Sequence, residues 1–211
     1  MSEASRGSAD RAAEEDPRRR LEDIRRRIAA ADARRVDLTA EPARAAVGVI
    51  LEPRADDLYL FFIHRAVDER DRWSGQMAFP GGFHESTDAD LPATVHREVL
   101  EEVGIDLQAS AESIGRLDEI QGVARGRQLA LVITPFLFAL RAPVEPKPNE
   151  EVQGVLWVPL SYFEDPRNET EIEYPERPPS VRLPAFIYQG RTIWGLTLRM
   201  VKNFVERIGG A

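Results

Sequence analysis

The sequence has 211 residues, 43% of them hydrophobic and 30% charged, which suits one folded domain with a short extension and excludes wholesale disorder. It contains no cysteine, so thiol nucleophiles, disulfides, iron–sulfur clusters and Cys-based zinc sites are excluded, and no run approaches the ~18–20 apolar residues of a membrane-spanning helix. The formal net charge is −8, and because residues 1–35 hold ten Arg against eight Asp and Glu, the remaining body carries −10; nucleic acid is therefore not an expected partner.

In chain order, residues 1–16 are small, charged and aperiodic, which predicts a flexible tail. They lack the apolar stretch of a secretory signal and are too acidic for a transit peptide, so a cytoplasmic location is expected. Pro17 opens an N-terminal helical unit over residues 17–35, with Leu21, Ile24 and Ile28 at helical spacing among arginines. RRRLEDIRRR reads either as a binder of an anionic patch or as a solvated helix docked by one apolar stripe. Residues 36–211 form the main domain. AAVGVILEP and LYLFFIHR predict a β-hairpin turning at Arg54–Asp57. A charged loop (Ala66–Arg72), the segment WSGQMAFPGGFHE and a helix beginning near Asp90 follow. Further strands are predicted over SIGRLDEI, LALVITPFLFAL and VQGVLWVPL. The proline-rich stretches APVEPKPNEE and YPERPPSVRLP read as loops, and TLRMVKNFVERI as a closing helix stopped by Gly209. The pattern predicts an α/β fold: an α/β/α sandwich with a mixed sheet and a loop–helix unit on one face.

Several enzyme classes are excluded by missing motifs. The two lysines, Lys147 and Lys202, lie in no phosphate loop, no GxSxG is present, and His64, His84 and His96 form no HExxH pair. Chemistry is instead concentrated in GGFHESTDADLPATVHREVLEEVGID. Asp90 is suited to cap the helix N-terminus, Pro92 is tolerated in its first turn, and Gly104 stops it. At about 100° per residue, Glu101 and Glu102 fall about 60° and about 40° to either side of Glu98. Val99, Leu100 and Val103 occupy a separate apolar arc. Like charge gathered on one face near a helix C-terminus is unfavourable unless water or a cation offsets it, and all-oxygen ligands select hard cations such as Mg2+ or Mn2+.

This segment resembles the signature of the Nudix hydrolases: Gly, five residues, Glu, seven residues, then Arg-Glu-apolar-x-Glu-Glu-x-Gly-apolar. Arg97 to Ile105 match the second half without gaps. The first half departs from it, since Gly82 and five intervening residues lead to Asp88 rather than Glu, and eight residues separate Asp88 from Arg97. An Asp in a loop lengthened by one residue is similar to the coenzyme A pyrophosphatase branch. Arg65, Ala66 and Arg70 also fit that branch's upstream motif, whereas its Leu-Leu-Thr is replaced and one additional residue separates Arg70 from Gly75.

The resemblance implies that Glu98, Glu101, Glu102 and the carbonyl of Gly82 hold Mg2+ or Mn2+, and that Arg97 orients a glutamate. Glu98 and Glu101 are candidate catalytic carboxylates, and the resemblance implies a further acid on a distal loop, Glu151 or its alternative Glu150 in PNEEV. Arg65, Arg70 and Arg72 are candidate phosphate ligands; Trp73 and Phe83 could stack on a base or simply pack. The implied substrate is a small-molecule nucleoside diphosphate derivative, coenzyme A first, with ADP-ribose or a dinucleotide as the alternative. A non-catalytic nucleotide-sensing module is a further alternative, and a homodimer is left open.

Overall fold

A computed structural model describes residues 16–30, 32–38, 41–68, 73–124, 127–174 and 181–209. Of the expected tail, residues 1–15 lie outside the described residues. Asp16 caps helix α1 (Pro17–Ala30), its carboxylate accepting from the Arg18 N–H at 3.0 Å and its carbonyl from the Arg20 N–H.

Two long strands carry the main sheet. β1 (Ala43–Pro53) turns into antiparallel β2 (Leu58–Arg65), the Arg54 N–H closing the turn onto the Asp57 carbonyl. The short strands β3 (Met77–Ala78) and β4 (Gly81–Phe83) follow, then helix α2 (Leu91–Val103) and the single turn α3 (Leu107–Ser110). β5 (Ala111–Arg116), β6 (Ile120–Ala124) and β7 (Arg127–Leu140) come next, β7 running parallel to β1 while its other pairings are antiparallel. β8 (Val152–Pro159) pairs with β2 and leads into the short α4 (Leu160–Glu164). The result is an eight-stranded mixed sheet with the path β3-β2-β1-β7-β5, to which β4, β6 and β8 add. A separate three-stranded antiparallel sheet joins β9 (Glu169–Tyr174), β10 (Val181–Tyr188) and β11 (Arg191–Trp194) before helix α5 (Gly195–Gly209).

The period of two along β1 builds both cores. Val47, Val49 and Leu51 join one apolar cluster with Leu21, Ile24 and Ile28 of α1 and Val201, Phe204 and Ile208 of α5. Ala46 and Ile50, facing the other way, pack with Val95, Val99 and Val103 of α2. A strand buried on both faces therefore reads as a continuous apolar run, flanked by helices on each side.

The arginine-rich helix is a docked element. Its apolar stripe is buried, Ile28 lying over Gly115 of β5. Arg20 is itself buried, donating to Asp57 at 2.8 Å and to Glu164 at 2.5 Å, while Arg25 reaches Glu112 and Arg26 and Arg27 pair with Asp23. The expected N-terminal helix over 17–35 needs correction: it ends at Ala30, and residues 32–38 form a strap without regular secondary structure. Asp118 accepts from the Arg34 N–H and Glu119 from the Val36 N–H. That inward turn of two acids is also why SIGRLDEI is not one strand but two, broken at Leu117–Glu119. YPERPPSVRLP is likewise not all loop, since Val181–Tyr188 forms β10, with Pro184 inside it, while residues 175–180 lie outside the described residues.

Two stability measurements follow. Arg20→Met leaves Asp57 and Glu164 buried without their cation and should cost about 3 kcal/mol in chemical denaturation. For Asp118, burial pushes the carboxyl up, but the Arg34 N–H, Asn203 and Arg207 outweigh it and hold the carboxyl below its ordinary value. Its stabilisation is therefore present above the unfolded value of about 4 and lost as pH falls through the depressed folded value. Asp118→Asn should be less stable at pH 7 by about 1–2 kcal/mol, with the gap to the native protein closing in urea titrations as the pH falls below the unfolded value.

Candidate active site

Helix α2 presents the acidic face. The Asp90 carboxylate caps it, accepting from the Ala93 N–H at 2.8 Å, and Gly104 ends it in a left-handed conformation, donating to the Leu100 carbonyl. Val95, Val99 and Val103 anchor the buried side, which leaves Glu98, Glu101 and Glu102 at the edge of the sheet beside β4. The approach there is tight. Gly81 has φ +144°, and a Cβ on it would meet the Ala46 carbonyl oxygen at 2.3 Å; a Cβ on Gly82 would fall 2.3 Å from Glu98 Oε1.

Arg97 organises the loop. Its Nε donates to Asp88 Oδ1 at 2.9 Å, Nη2 to Asp88 Oδ2 and to the Phe83 carbonyl, each at 3.1 Å, and Nη1 to Glu98 at 2.9 Å and Glu101 at 3.2 Å. Asp88 is the residue that sequence reasoning passed over. The motif offered a signal, a carboxylate separated from Gly82 by five residues, but gave it no task. The Arg97 hydrogen bonds, the Glu85 N–H and the Thr94 hydroxyl hold its carboxyl far below the ordinary range, and Asp88 in turn holds the guanidinium above its own. His84 and Thr94 complete this network: the His84 Nδ1 lies 2.9 Å from the Thr94 hydroxyl, which donates to Asp88. His96 points away, edge-on to Phe138.

Glu102 is buried. It accepts the Gly81 N–H at 2.9 Å and has Arg65 at 3.8 Å, and burial pushes its carboxyl up to about 8 despite both. Burial raises Glu98 as well, against the pull of Arg97. Glu151 is exposed at the start of β8, close enough for its charge to raise both. Arg65, Glu98, Glu101, Glu102, Glu151 and Gly82 all line one cleft of about 420 Å³. Its other wall is apolar, formed by Val47, Leu131, Ile133, Leu196 and Met200, with Trp73 and the half-exposed Phe83 also lining it. Arg70 and Arg72 lie outside the described residues.

A divalent cation fits this donor set chemically. The ligands are all oxygens, and Glu102 is a buried carboxylate whose charge is only weakly offset. As placed, the carboxylates do not form a closed cage: among the described residues, no three acidic or histidine side chains converge closely enough to hold an ion. Glu98 and Glu101 are drawn to Arg97, and Glu102 turns inward to Gly81.

The family model for the NUDIX domain matches residues 42–176. An uncharacterized protein of Schizosaccharomyces pombe is 36% identical over 160 residues, 66% of this chain but 48% of the relative, so the chain spans about half of that protein's length. The uncharacterized Nudix hydrolase NudL of Salmonella newport is 30% identical over 173 residues, covering 82% of this chain and 85% of NudL. Among solved structures, a MutT/nudix family protein from Enterococcus faecalis aligns over 86% of this chain and 70% of its own, with a TM-score of 0.51 and 16% identity, a likeness of fold.

Gly82→Ala tests the contact between β4 and α2. The new Cβ meets only the flexible end of Glu98, so the denaturation midpoint should stay near that of the native protein, while Mn2+ affinity by calorimetry should fall about tenfold or more.

Proposed function

The chain belongs to the Nudix hydrolase family, and from that premise we propose that it is a divalent-cation-dependent pyrophosphohydrolase acting on coenzyme A or its derivatives. The observation that carries this reading is the sharing of one cleft by Glu98, Glu101, Glu102, Glu151 and Arg65. Glu98, Glu101, Glu102 and the Gly82 carbonyl would hold Mg2+ or Mn2+, which when bound supplies charge neutralisation at the diphosphate and acidifies water.

The side chains have distinct tasks. Arg97 fixes Glu98 and Glu101, so the acidic face does not splay under its own repulsion. Arg65 brings a guanidinium to the phosphates, and Arg70 and Arg72 are further candidate phosphate ligands on the sequence pattern alone. Water attacks one phosphorus, the phosphoanhydride bond breaks, and Glu151 takes the proton lost by the water. The products are two phosphate monoesters: for coenzyme A, adenosine 3′,5′-bisphosphate and 4′-phosphopantetheine.

Two features support the substrate. Arg65 and Ala66, followed by Phe79-Pro80-Gly81-Gly82, resemble the coenzyme A branch. The apolar wall of Leu131, Ile133, Leu196 and Met200 suits an aliphatic arm better than a second sugar. ADP-ribose or a dinucleotide is the second reading: Phe83 and Trp73 both line the cleft, and a dinucleotide has two bases to set against two rings where coenzyme A has one. Among the described residues no helix is long and apolar enough to cross a membrane.

Purified protein should be incubated with Mg2+ or Mn2+ and coenzyme A, acyl-coenzyme A, ADP-ribose, NADH and diadenosine polyphosphates, with products identified by mass. Coenzyme A should give the two monoesters, chelation should abolish turnover, and Glu98→Gln or Glu102→Gln should lower kcat on the order of 10²-fold. Preference for ADP-ribose would keep the chemistry and replace the substrate. Nucleotide binding without cleavage of any of these compounds would favour a sensing module.

A further inference from the structure

The proline-rich loop between β7 and β8 is tied to the end of helix α2. The Lys147 N–H donates to the Val103 carbonyl at 2.7 Å and the Asn149 N–H to the Glu102 carbonyl at 2.9 Å. Both acceptors belong to the last turn of α2, whose carbonyls have no partners within the helix. The loop thus caps the same helix that carries the acidic face.

On its other side the loop is fastened to β2. The Ala66 N–H donates to the Glu151 carbonyl at 2.7 Å. The β2–β8 ladder breaks register here: His64 faces Gly154 while Arg65 faces Val152, so Gln153 is an extra residue on β8. A bulge of this kind bends a strand and re-aims the side chains around it. Glu151 sits immediately before it. Its carbonyl is held by backbone, but its N–H is held by a side chain, donating to Asn149 Oδ1 at 2.8 Å, and the Asn149 carbonyl accepts the Val152 N–H at 3.2 Å. Asn149 is therefore a node between the α2 terminus, the Glu151 peptide and the first residue of β8.

We propose that Asn149 is a positioning residue for Glu151, its side-chain carbonyl fixing the peptide from which the Glu151 carboxylate faces the cleft and its N–H tying that peptide to Glu102. This rests on the reading of Glu151 as the group that takes the proton. Asn149 itself is absent from the cleft lining and acts through Glu151. Removing Oδ1 frees the peptide ahead of Glu151 and lets the carboxylate leave its productive orientation, a loss that falls on the proton transfer rather than on substrate binding.

The test is a double-mutant cycle on the cation-loaded enzyme, with Asn149→Ala, Glu151→Gln and both together, assayed on the diphosphate that the native protein turns over best. Asn149→Ala should lower kcat about tenfold with KM changed less than about twofold. Its denaturation midpoint should match the native protein, because the backbone bonds of Lys147, Asn149 and Ala66 remain. Asn149→Asp, which keeps an acceptor at the same atom, should recover most of the loss, and Asn149→Ala should add nothing in the Glu151→Gln background. Native kcat in Asn149→Ala, an equal loss in both backgrounds, or no recovery with Asp would each overturn the positioning role. Should alanine disturb folding, Asn149→Ser, with its shorter acceptor, is read by the same cycle. Native turnover in Glu151→Gln would remove Glu151 from the chemistry and the inference with it. An impaired Glu151→Gln beside an unaffected Asn149→Ala would overturn the positioning role alone.

Discussion

The guanidinium of Arg97 is the contact on which the acidic face depends. Glu98, Glu101 and Glu102 within two turns of one helix, close to its negative end, repel one another and the helix dipole. Arg97 offsets this from inside the same helix, and its planar fork engages Asp88 with two nitrogens while a third reaches Glu98 and Glu101. A lysine could offer the charge but not those directions. One residue thereby fastens the loop after β4 to the helix and sets where two of the three glutamates lie.

That fork works only because the helix cannot drift. Val95, Val99 and Val103 are fully buried against the sheet, and at Gly81 the strand comes so close to the Ala46 carbonyl that no Cβ fits there. At the far end of α2, the loop through Lys147 and Asn149 holds the last carbonyls. Apolar packing thus sets the axis of the helix, while polar contacts at both ends set its rotation and hold the loops. The Arg20 and Asp118 networks are remote from this cleft and serve a different end, fastening α1 and the strap to the body.

Periodic patterns were legible in the sequence; long-range polar contacts were not. β1, β2, β7, α2 and the closing helix follow from runs of Val, Ile, Leu and Phe at periods of two or 3.6, because burial imposes those periods. The break between β5 and β6 is invisible by that criterion, since Asp118 and Glu119 look like ordinary surface acids until the strap that they bind is in place. Pro184 disguised β10 for a similar reason: proline argues against a strand in general, yet it is accommodated in this small sheet. At the cleft, Glu98, Glu101 and Glu102 could be grouped from helical spacing alone. Glu151 was singled out through the family resemblance, whereas the contacts of Asn149 and Thr94 emerge only from who donates to whom.

At Asp88, where the chain departs from the glutamate of the family signature, a shorter side chain sits in a longer loop. Aspartate is one methylene shorter than the glutamate of the signature, which by itself would draw the carboxylate back from Arg97 by about 1.5 Å. The loop, however, is one residue longer, and that residue supplies more than the missing reach. The two changes occur together, and the outcome is a bidentate pair at 2.9 and 3.1 Å, with Asp88 further anchored by the Glu85 N–H and the Thr94 hydroxyl. A shorter side chain has fewer rotamers to lose, so the Asp form also fixes Arg97 at a smaller entropic cost. In this chain the longer loop and the shorter side chain together deliver a carboxylate to the arginine fork.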